Sequence, residues 1–571
     1  MATRVARQQR DRRALKSFLP ILDWLPQYNR NWLRPDIIAA LTLWAVLVPE
    51  AMAYAAIAGM PAEAGLYAAP LALIAYAIFG TSRHLHVGPS SALAALSFSV
   101  VVTLAAAGSV AFIVLTIALA LMAGILLVIG GLLRLGVLAD FLSRPVLDGF
   151  VVGVAISIAV GQLHKLLGFE AEGVYDLAPD LLVIARNIGM THWPTLAVGL
   201  ASLALLFAMH KYVPKVPAAI VLLFLSIAAS SLLGFEEMGI HVVGGIPAGL
   251  PDFGLPTDLR LSDLVAIAPG AMGLALVAFA ESVAISRSVA TKHGYEVDAN
   301  KEMGAIGIAN LGSAFSGAFA VNGSMSRTSV AESMGAKSQM VSIVAAIAVF
   351  ITAAFLTPLF YALPEAVLGA IVIHAVWHNI TLRKINEFRN ITRLDYATAL
   401  VAMVGVLVFG LLEGLLLAAM VGLLSLLVGT KKRNTTILGK VPGKEIFRSI
   451  ENYPDAETYP GLLIVRFDGT LFYANVPDFQ AAMRGMIAAA DPPPNIILID
   501  CESINDIDAT AVLTLRDFQK QLQAAQIELR FARVKTNVLA VMERGGLLQA
   551  VPADHIFPTV EDAVDAVLAE R

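Results

Sequence analysis

Apolar stretches of bilayer length recur through the first three quarters of this 571-residue chain, and few architectures tolerate that pattern. A hydrocarbon core of roughly 30 Å takes about 20 apolar residues of helix to cross. Fourteen stretches long enough to span or half-span it lie near 37–58, 65–80, 87–106, 109–133, 145–167, 194–209, 216–234, 264–289, 303–319, 322–335, 338–358, 364–380, 395–411 and 413–430. Composition agrees: the chain is 57% hydrophobic and only 15% charged, against roughly a quarter charged in soluble proteins. A larger core still leaves a surface to cover, so the solvent around much of this chain is lipid.

The placement of Lys and Arg tests the count independently. With fourteen spans and the N-terminus inside, loops after even-numbered spans should be cytoplasmic and basic. Those loops hold Arg83, Arg134, Arg144, Lys211, Lys215, Arg287, Lys292, Lys301, Lys337, Arg383, Lys384, Arg389 and Arg393. The opposite loops hold Lys165, Arg186 and Arg260, and two are acidic (Glu170, Glu172, Asp176, Asp180; Glu236, Glu237, Asp252). Both flanks, Arg4 to Arg34 and Lys431 to Arg433, are basic as well. The pattern predicts a multi-pass inner (plasma) membrane protein with both termini cytoplasmic. The Arg-rich N-terminus lacks the apolar stretch and small-residue cleavage site of a signal peptide. The net charge of -4 is uninformative about nucleic acid because the charge is unevenly placed, but no basic stripe with interleaved aromatics appears, and no nucleic-acid partner is expected. The single cysteine, Cys501, excludes an intrachain disulfide and a CxxC metal site.

Two spans read as broken or half helices. One opens at Val87-Gly88-Pro89-Ser90, the other at Asn322-Gly323-Ser324, and each is the third of seven. Interrupted spans at matching places in two halves point to the binding site of an inverted-repeat transporter; the plainer alternative is that such glycines only allow close helix packing. Arg327 lies a few residues into the second half helix, inside a span, whereas Lys165 and Arg287 lie at the ends of theirs. A bound anion suits this place, because unpaired N–H groups and the dipole of a helix N-terminus favour negative charge. Arg327 adds a fixed charge and forked donors. Glu281, within the eighth span, requires a partner or a water-filled cavity. It either pairs with Arg327 as a structural bridge or takes up a proton in coupling. Glu50 follows Pro49, with Tyr54 one turn further on the same face. It either binds a coupling cation or proton, or caps freed backbone donors.

From about residue 440 the composition becomes that of a soluble domain. Segments 461–467, 495–500 and 528–531 read as strands, and 477–490, 509–524 and 535–545 as helices, giving a small α/β sandwich. Asp508 suits the N-cap of the second helix. No ATP-binding Walker motif appears, and His84, His86, His164, His374 and His378 lack convincing metal-ligand spacing. His374 and His378 share a helical face without a third ligand nearby in the sequence. No enzyme, cofactor or metal is indicated.

The motifs Val48-Pro49-Glu50-Ala-Met-Ala-Tyr54-Ala, Gly65-Leu-Tyr-Ala-Ala69, Gly80-Thr-Ser-Arg-His84, Val87-Gly-Pro-Ser90 and Ser324-Met-Ser-Arg327 occur in the order of the sulfate permease (SulP) family, which the chain resembles over nearly its whole length. The soluble part resembles the STAS domain of that family. The resemblance implies a seven-plus-seven inverted repeat of helices, divided into core and gate domains, an elevator-like movement of the core, and a homodimer. The domains expected are a cytoplasmic segment 1–36, a transporter domain 37–430, a linker 431–445 and a STAS domain 446–571. It implies an anion site between the third and tenth helices, here Gly88, Pro89, Ser90, Gly323, Ser324, Ser326 and Arg327, with Glu50 and Tyr54 beside it. Glu281 and Glu50 are the coupling candidates. Many members carry Gln where this chain has Glu50. Sodium-coupled bicarbonate members carry Asp and, one turn on, Thr, where this chain has Glu281 and Ile285. Ile285 lacks a hydroxyl ligand, so protons or simple exchange are favoured over sodium. Thr510 stands where related anti-sigma-factor antagonists carry a phosphorylated serine, at a helix start that favours phosphate, and the domain is expected to contact its dimer mate or a cytoplasmic protein partner. Sulfate is the first expectation for substrate; bicarbonate, chloride and C4-dicarboxylates are the rivals. A membrane anion sensor signalling through the STAS domain is the alternative of another class.

Overall fold

The structure is a computed structural model that describes residues 19–140, 143–169, 177–213, 216–257, 259–429, 435–549 and 551–570. The basic residues before residue 19, Lys215, Lys431 to Arg433, and the acidic Glu170, Glu172 and Asp176 lie outside the described residues. The chain divides into two compact units, Met1–Leu423 and Leu424–Arg571.

In the first unit each of the fourteen apolar segments carries a helix: α1 (Leu33–Ile57), α2 (Ala62–Phe79), α3 (Ser91–Val101), α4 (Val110–Leu132), α5 (Arg144–Gly161), α6 (Trp193–Tyr212), α7 (Ala218–Leu233), α8 (Leu261–His293), α9 (Ala299–Phe315), α10 (Met325–Ser333), α11 (Met340–Ile351), α12 (Glu365–Trp377), α13 (Arg393–Phe409) and α14 (Leu411–Gly429). Among the described residues, eight helical stretches are long and apolar enough to cross a bilayer by themselves: α1, α2, α4, α5, α6, α8, α11 and α12, several with short extensions. α3 has 11 residues and α10 has 9. At 1.5 Å per residue that is roughly 16 and 14 Å, half a hydrocarbon core. Two amphipathic helices, Leu177–Asn187 and Leu382–Ile391, have no counterpart among the apolar stretches.

Helices pack here through small residues, as expected where lipid offers no hydrophobic drive to association. A Cβ at Gly65 of α2 would lie 2.0 Å from the Ala51 carbonyl of α1. One at Gly307 of α9 would lie 2.7 Å from the Val128 amide of α4. Ahead of α3 and α10 the chain is extended, and the two three-residue strands β1 (Val87–Pro89) and β2 (Val321–Gly323) pair antiparallel. Their register is Val87↔Gly323, Gly88↔Asn322 and Pro89↔Val321.

The second unit is a six-stranded sheet. Its strands are β3 (Thr435–Lys440), β4 (Phe447–Ser449), β5 (Leu462–Phe467), β6 (Ile496–Asp500), β7 (Glu528–Ala532) and β8 (Ile556–Phe557), in spatial order β4-β3-β5-β6-β7-β8. β5 to β8 run parallel, and β3 pairs antiparallel with β4 and β5. Alternation along β5 separates two cores. Leu463, Val465 and Phe467 face α15 (Val476–Ala489), α16 (Ala509–Ala524) and α17 (Thr536–Arg544). Leu462 and Ile464 face α18 (Val560–Ala569), through Val560, Ala563, Val564 and Val567. The three strands and three helices read from the sequence are present. β3 lies inside the stretch expected to be linker, where its backbone pairs with β5 on one side and β4 on the other. Cys501 is buried, and burial pushes its thiol pKa up, so it is not a reactive thiolate.

Candidate functional site

The β1–β2 ribbon organises the first unit's polar residues. It is held from both sides. Asn310 of α9 clamps Val321, accepting from its N–H (2.9 Å) and donating Nδ2 to its carbonyl (2.9 Å). Ser282 of α8 accepts from the Gly323 N–H (2.9 Å) and donates to the Ala278 carbonyl. The Ser324 N–H donates to the His86 carbonyl (3.2 Å), extending the pairing by one residue.

α3 and α10 leave this ribbon from opposite ends. Ser90 is the N-cap of α3, accepting from the Leu93 N–H (3.4 Å), and Ser324 is the N-cap of α10, accepting from the Arg327 N–H (3.5 Å). In each helix the N–H groups of the next two residues, Ser91 and Ala92 or Met325 and Ser326, have no intrahelical partner. The caps are separated by a ribbon three residues long, so two partial positive charges of about half a unit each lie close together.

Arg327 lies between them. Its side chain is 1% exposed, and it donates to backbone rather than to a carboxylate. Nη1 bonds the Pro89 carbonyl (2.5 Å), while Nη2 bonds the Gly88 carbonyl (3.2 Å) and reaches the Asn322 carbonyl (3.5 Å). Nε is buried without a hydrogen-bond partner. A Cβ at Gly88 would meet Nη1 at 3.4 Å, an ordinary contact, so the guanidinium packs closely on this residue without demanding a glycine. The ion pair between Glu281 and Arg327 that the sequence left open is not formed among the described residues. Glu281 instead accepts from Asn322 Nδ2. Glu50 and Tyr54 are buried on α1, which packs against α10, the helix that carries Arg327. Ser326 is exposed at the mouth, its hydroxyl 3.0 Å from that of Ser324. The structure thus gathers Gly88, Pro89, Ser90, Gly323, Ser324, Ser326 and Arg327 around one junction, with Glu50, Tyr54 and Glu281 on the adjoining α1 and α8.

Sequence reasoning missed the residues that position this junction. Asn310 and Ser282 carry no motif, since polar residues in helices usually only bond their own backbone, and Asn322 stands out in the sequence only as the opening of a half helix, not as the partner of Glu281. Glu302 is the largest omission. It is fully buried at the start of α9 and accepts from Tyr76 Oη (2.6 Å), the Thr81 N–H (2.7 Å) and hydroxyl (2.5 Å), and the Ser82 N–H (3.2 Å). It fixes the loop that leads into β1. It lies just outside the apolar stretch 303–319, beside Lys301, where an acid reads as an ordinary loop residue. The His374 and His378 pair gains a neighbour from α6: His210 Nε2 lies 3.3 Å from His378 Nε2, and all three rings are in contact.

In the second unit Asp508 is the N-cap of α16, accepting from the Ala511 N–H (2.7 Å), and its other oxygen accepts from the Tyr473 N–H (2.9 Å). Thr510 is exposed in the first turn of α16.

Comparison with known proteins follows the same division. The sulfate permease family profile matches residues 33–405, and the STAS domain profile matches residues 453–563. A probable sulfate transporter of Mycobacterium tuberculosis is 34% identical over 543 residues, 95% of this chain and 96% of its own. The chloroplastic sulfate transporter 4.1 of Arabidopsis thaliana is 31% identical over 574 residues, 97% of this chain and 83% of its own. Murine Solute Carrier 26 family member A9, an anion transporter solved in the inward-facing state, superposes with a TM-score of 0.90 at 22% identity, over 97% of this chain and 94% of that one. The transmembrane domain of the cyanobacterial bicarbonate transporter BicA gives 0.60 at 22% identity, over 70% of this chain and 98% of that one. At such identities these two likenesses are of fold.

Proposed function

The chain belongs to the sulfate permease family, and from that premise we propose that it is a secondary transporter of small anions, sulfate first. The observation that carries this reading is Arg327, a buried cation whose partners are carbonyls, set between two helix N-termini. Three sources of positive potential converge there, and neutral carbonyls do not cancel a full charge. A dehydrated anion at the junction is stabilised by the free first-turn N–H groups and by the guanidinium. Ser90, Ser324 and Ser326 add hydroxyl donors. Relatives named for sulfate put that ion first; bicarbonate, chloride and C4-dicarboxylates are the competitors to exclude.

Two carboxylates adjoin the site, and each carries a coupling role in this reading. Glu281, held through Asn322, touches the ribbon directly, so a change in its protonation is felt at the anion. Glu50 is buried on α1, which packs against the helix that carries Arg327. Protons, or exchange of one anion for another, are favoured over sodium, because Ile285 offers no oxygen one turn after Glu281. The fourteen helices are assigned as a seven-plus-seven inverted repeat with α3 and α10 as the matched half helices. The Lys and Arg bias sets both termini on the cytoplasmic side of the inner membrane. Alternating access follows from an elevator-like shift of the core that carries the ribbon, within a homodimer. The STAS domain regulates or contacts a partner, with Thr510 the position where a phosphate would meet a helix N-terminus.

The test is labelled sulfate uptake by the full chain in proteoliposomes, with the sodium and proton gradients varied independently. Saturable uptake driven by inward protons and indifferent to sodium is the expected result. Folded protein that moves neither sulfate nor bicarbonate, chloride or fumarate contradicts the assignment and favours a sensor.

A further inference from the structure

A second polar feature lies away from the ribbon, at the end of the first unit where the chain enters α1. A cavity of about 330 Å³ opens there, within the size range of small-ligand sites. Its wall joins four separate parts of the chain. Trp24 and Trp32 come from the segment before α1, Arg83 from the loop between α2 and β1, Lys301 from the start of α9, and Lys337 from the loop before α11. Asp23 is the only acidic residue on the wall. None of the three cations makes an ion pair with a carboxylate among the described residues.

We propose that this cavity binds the phosphate-bearing headgroup of an anionic glycerophospholipid. Three cations without a carboxylate partner among the described residues, Arg83 resting over the Tyr295 ring, call for an anion when gathered in one pocket, and basic pockets between membrane helices suit lipid phosphates. Position selects the lipid over a soluble ion. Tryptophan favours the headgroup level, where its apolar ring and polar N–H both find partners; Trp24 donates Nε1 to the Ala77 carbonyl at the end of α2. Beside it Leu22, Leu25 and Leu33 are 36%, 44% and 46% exposed, an apolar rim along which acyl chains lie while the headgroup reaches inward. A bound headgroup bridges the entry of α1 to the loop that Glu302 fixes ahead of β1, so it fastens the first helix to the elements that hold the ribbon.

The test uses full-length protein stripped of lipid in a neutral detergent. Dioleoyl phosphatidylglycerol and dioleoyl phosphatidylcholine are titrated separately, and bound lipid is counted by native mass spectrometry. One phosphatidylglycerol per protomer should bind at least about tenfold more tightly than phosphatidylcholine, with a loss of roughly fivefold for each cation removed. R83Q/K301Q/K337Q should abolish the preference, and the charge-conserving R83K/K301R/K337R should retain it, which separates lost binding from lost folding. K384Q/R389Q/R393Q, which removes three cations elsewhere, should leave it intact. An equal loss in that control would overturn the site in favour of diffuse surface charge. Inorganic phosphate binding the wild type as tightly as the lipid would overturn the lipid as occupant.

Discussion

Replacing Arg327 by methionine separates the two tasks of this side chain. Methionine keeps an unbranched stem but is shorter, uncharged and not a donor, so the Pro89 and Gly88 carbonyls, bonded at 2.5 and 3.2 Å, lose their partners in a buried place. Each orphaned acceptor costs about 1–3 kcal/mol, so the protein should lose about 2–6 kcal/mol of stability. The anion loses one charge-assisted contact of about 1.5–3 kcal/mol, which is roughly 10- to 150-fold in affinity. Lysine keeps the charge but not the fork, and one ammonium cannot serve both carbonyls in the same geometry. Arg327→Lys should therefore recover most of the affinity while recovering only part of the stability. The assay pairs equilibrium sulfate binding on detergent-solubilised full chain with thermal unfolding of the same samples. Wild-type affinity in folded Arg327→Met would refute the reasoning and leave Arg327 a structural clasp. If lysine binds as poorly as methionine, geometry rather than charge selects the anion.

Three further outcomes follow from the same contacts. Glu281→Gln keeps an oxygen to accept from Asn322 but cannot take a proton, so folding should hold while the pH dependence of uptake is lost; an unchanged pH profile removes Glu281 from coupling. Glu302→Ala strands four donors, from Tyr76, Thr81 and Ser82. It should cost about 3–5 kcal/mol, read as a lowered melting temperature, and a change of a degree or less would mean that water replaces the carboxylate without loss. In the STAS domain Asp500 is fully buried and Arg533 bonds it through two nitrogens. Arg533→Ala should destabilise that domain by about 3–5 kcal/mol, seen as faster limited proteolysis between residues 440 and 570, and wild-type resistance would count against it.

The apolar runs and their basic loops announced a helical membrane unit, and each expected segment carries a helix. Half helices were legible because Gly88-Pro89 and Asn322-Gly323 break apolar runs at matching depths. The ribbon was not, since three-residue strands show no periodicity. Arg327 and Glu281 stood out as charges in lipid, whereas the residues that orient them did not. Ser282, Asn310 and Asn322 matter through contacts between segments distant in the chain, and single-chain spacing does not encode those. Arg327's partners are backbone carbonyls, which no side-chain pattern can announce. In the STAS domain the parallel strands β5 and β6 were readable from their continuous apolar runs, and β7 from its alternation of charged and apolar residues. β3 was hidden in a short segment with polar ends, Thr435-Thr436 and Gly439-Lys440, and β8 is only two residues long.

Whether an anion occupies the junction of α3 and α10 can be observed directly with selenate, whose selenium scatters anomalously and whose shape is that of sulfate. The account predicts an anomalous peak in crystals of the full chain, beside the Arg327 guanidinium and the first-turn N–H groups that follow Ser90 and Ser324, and its loss in Arg327→Met. Selenate bound elsewhere in the membrane unit, with none at that junction, would contradict it.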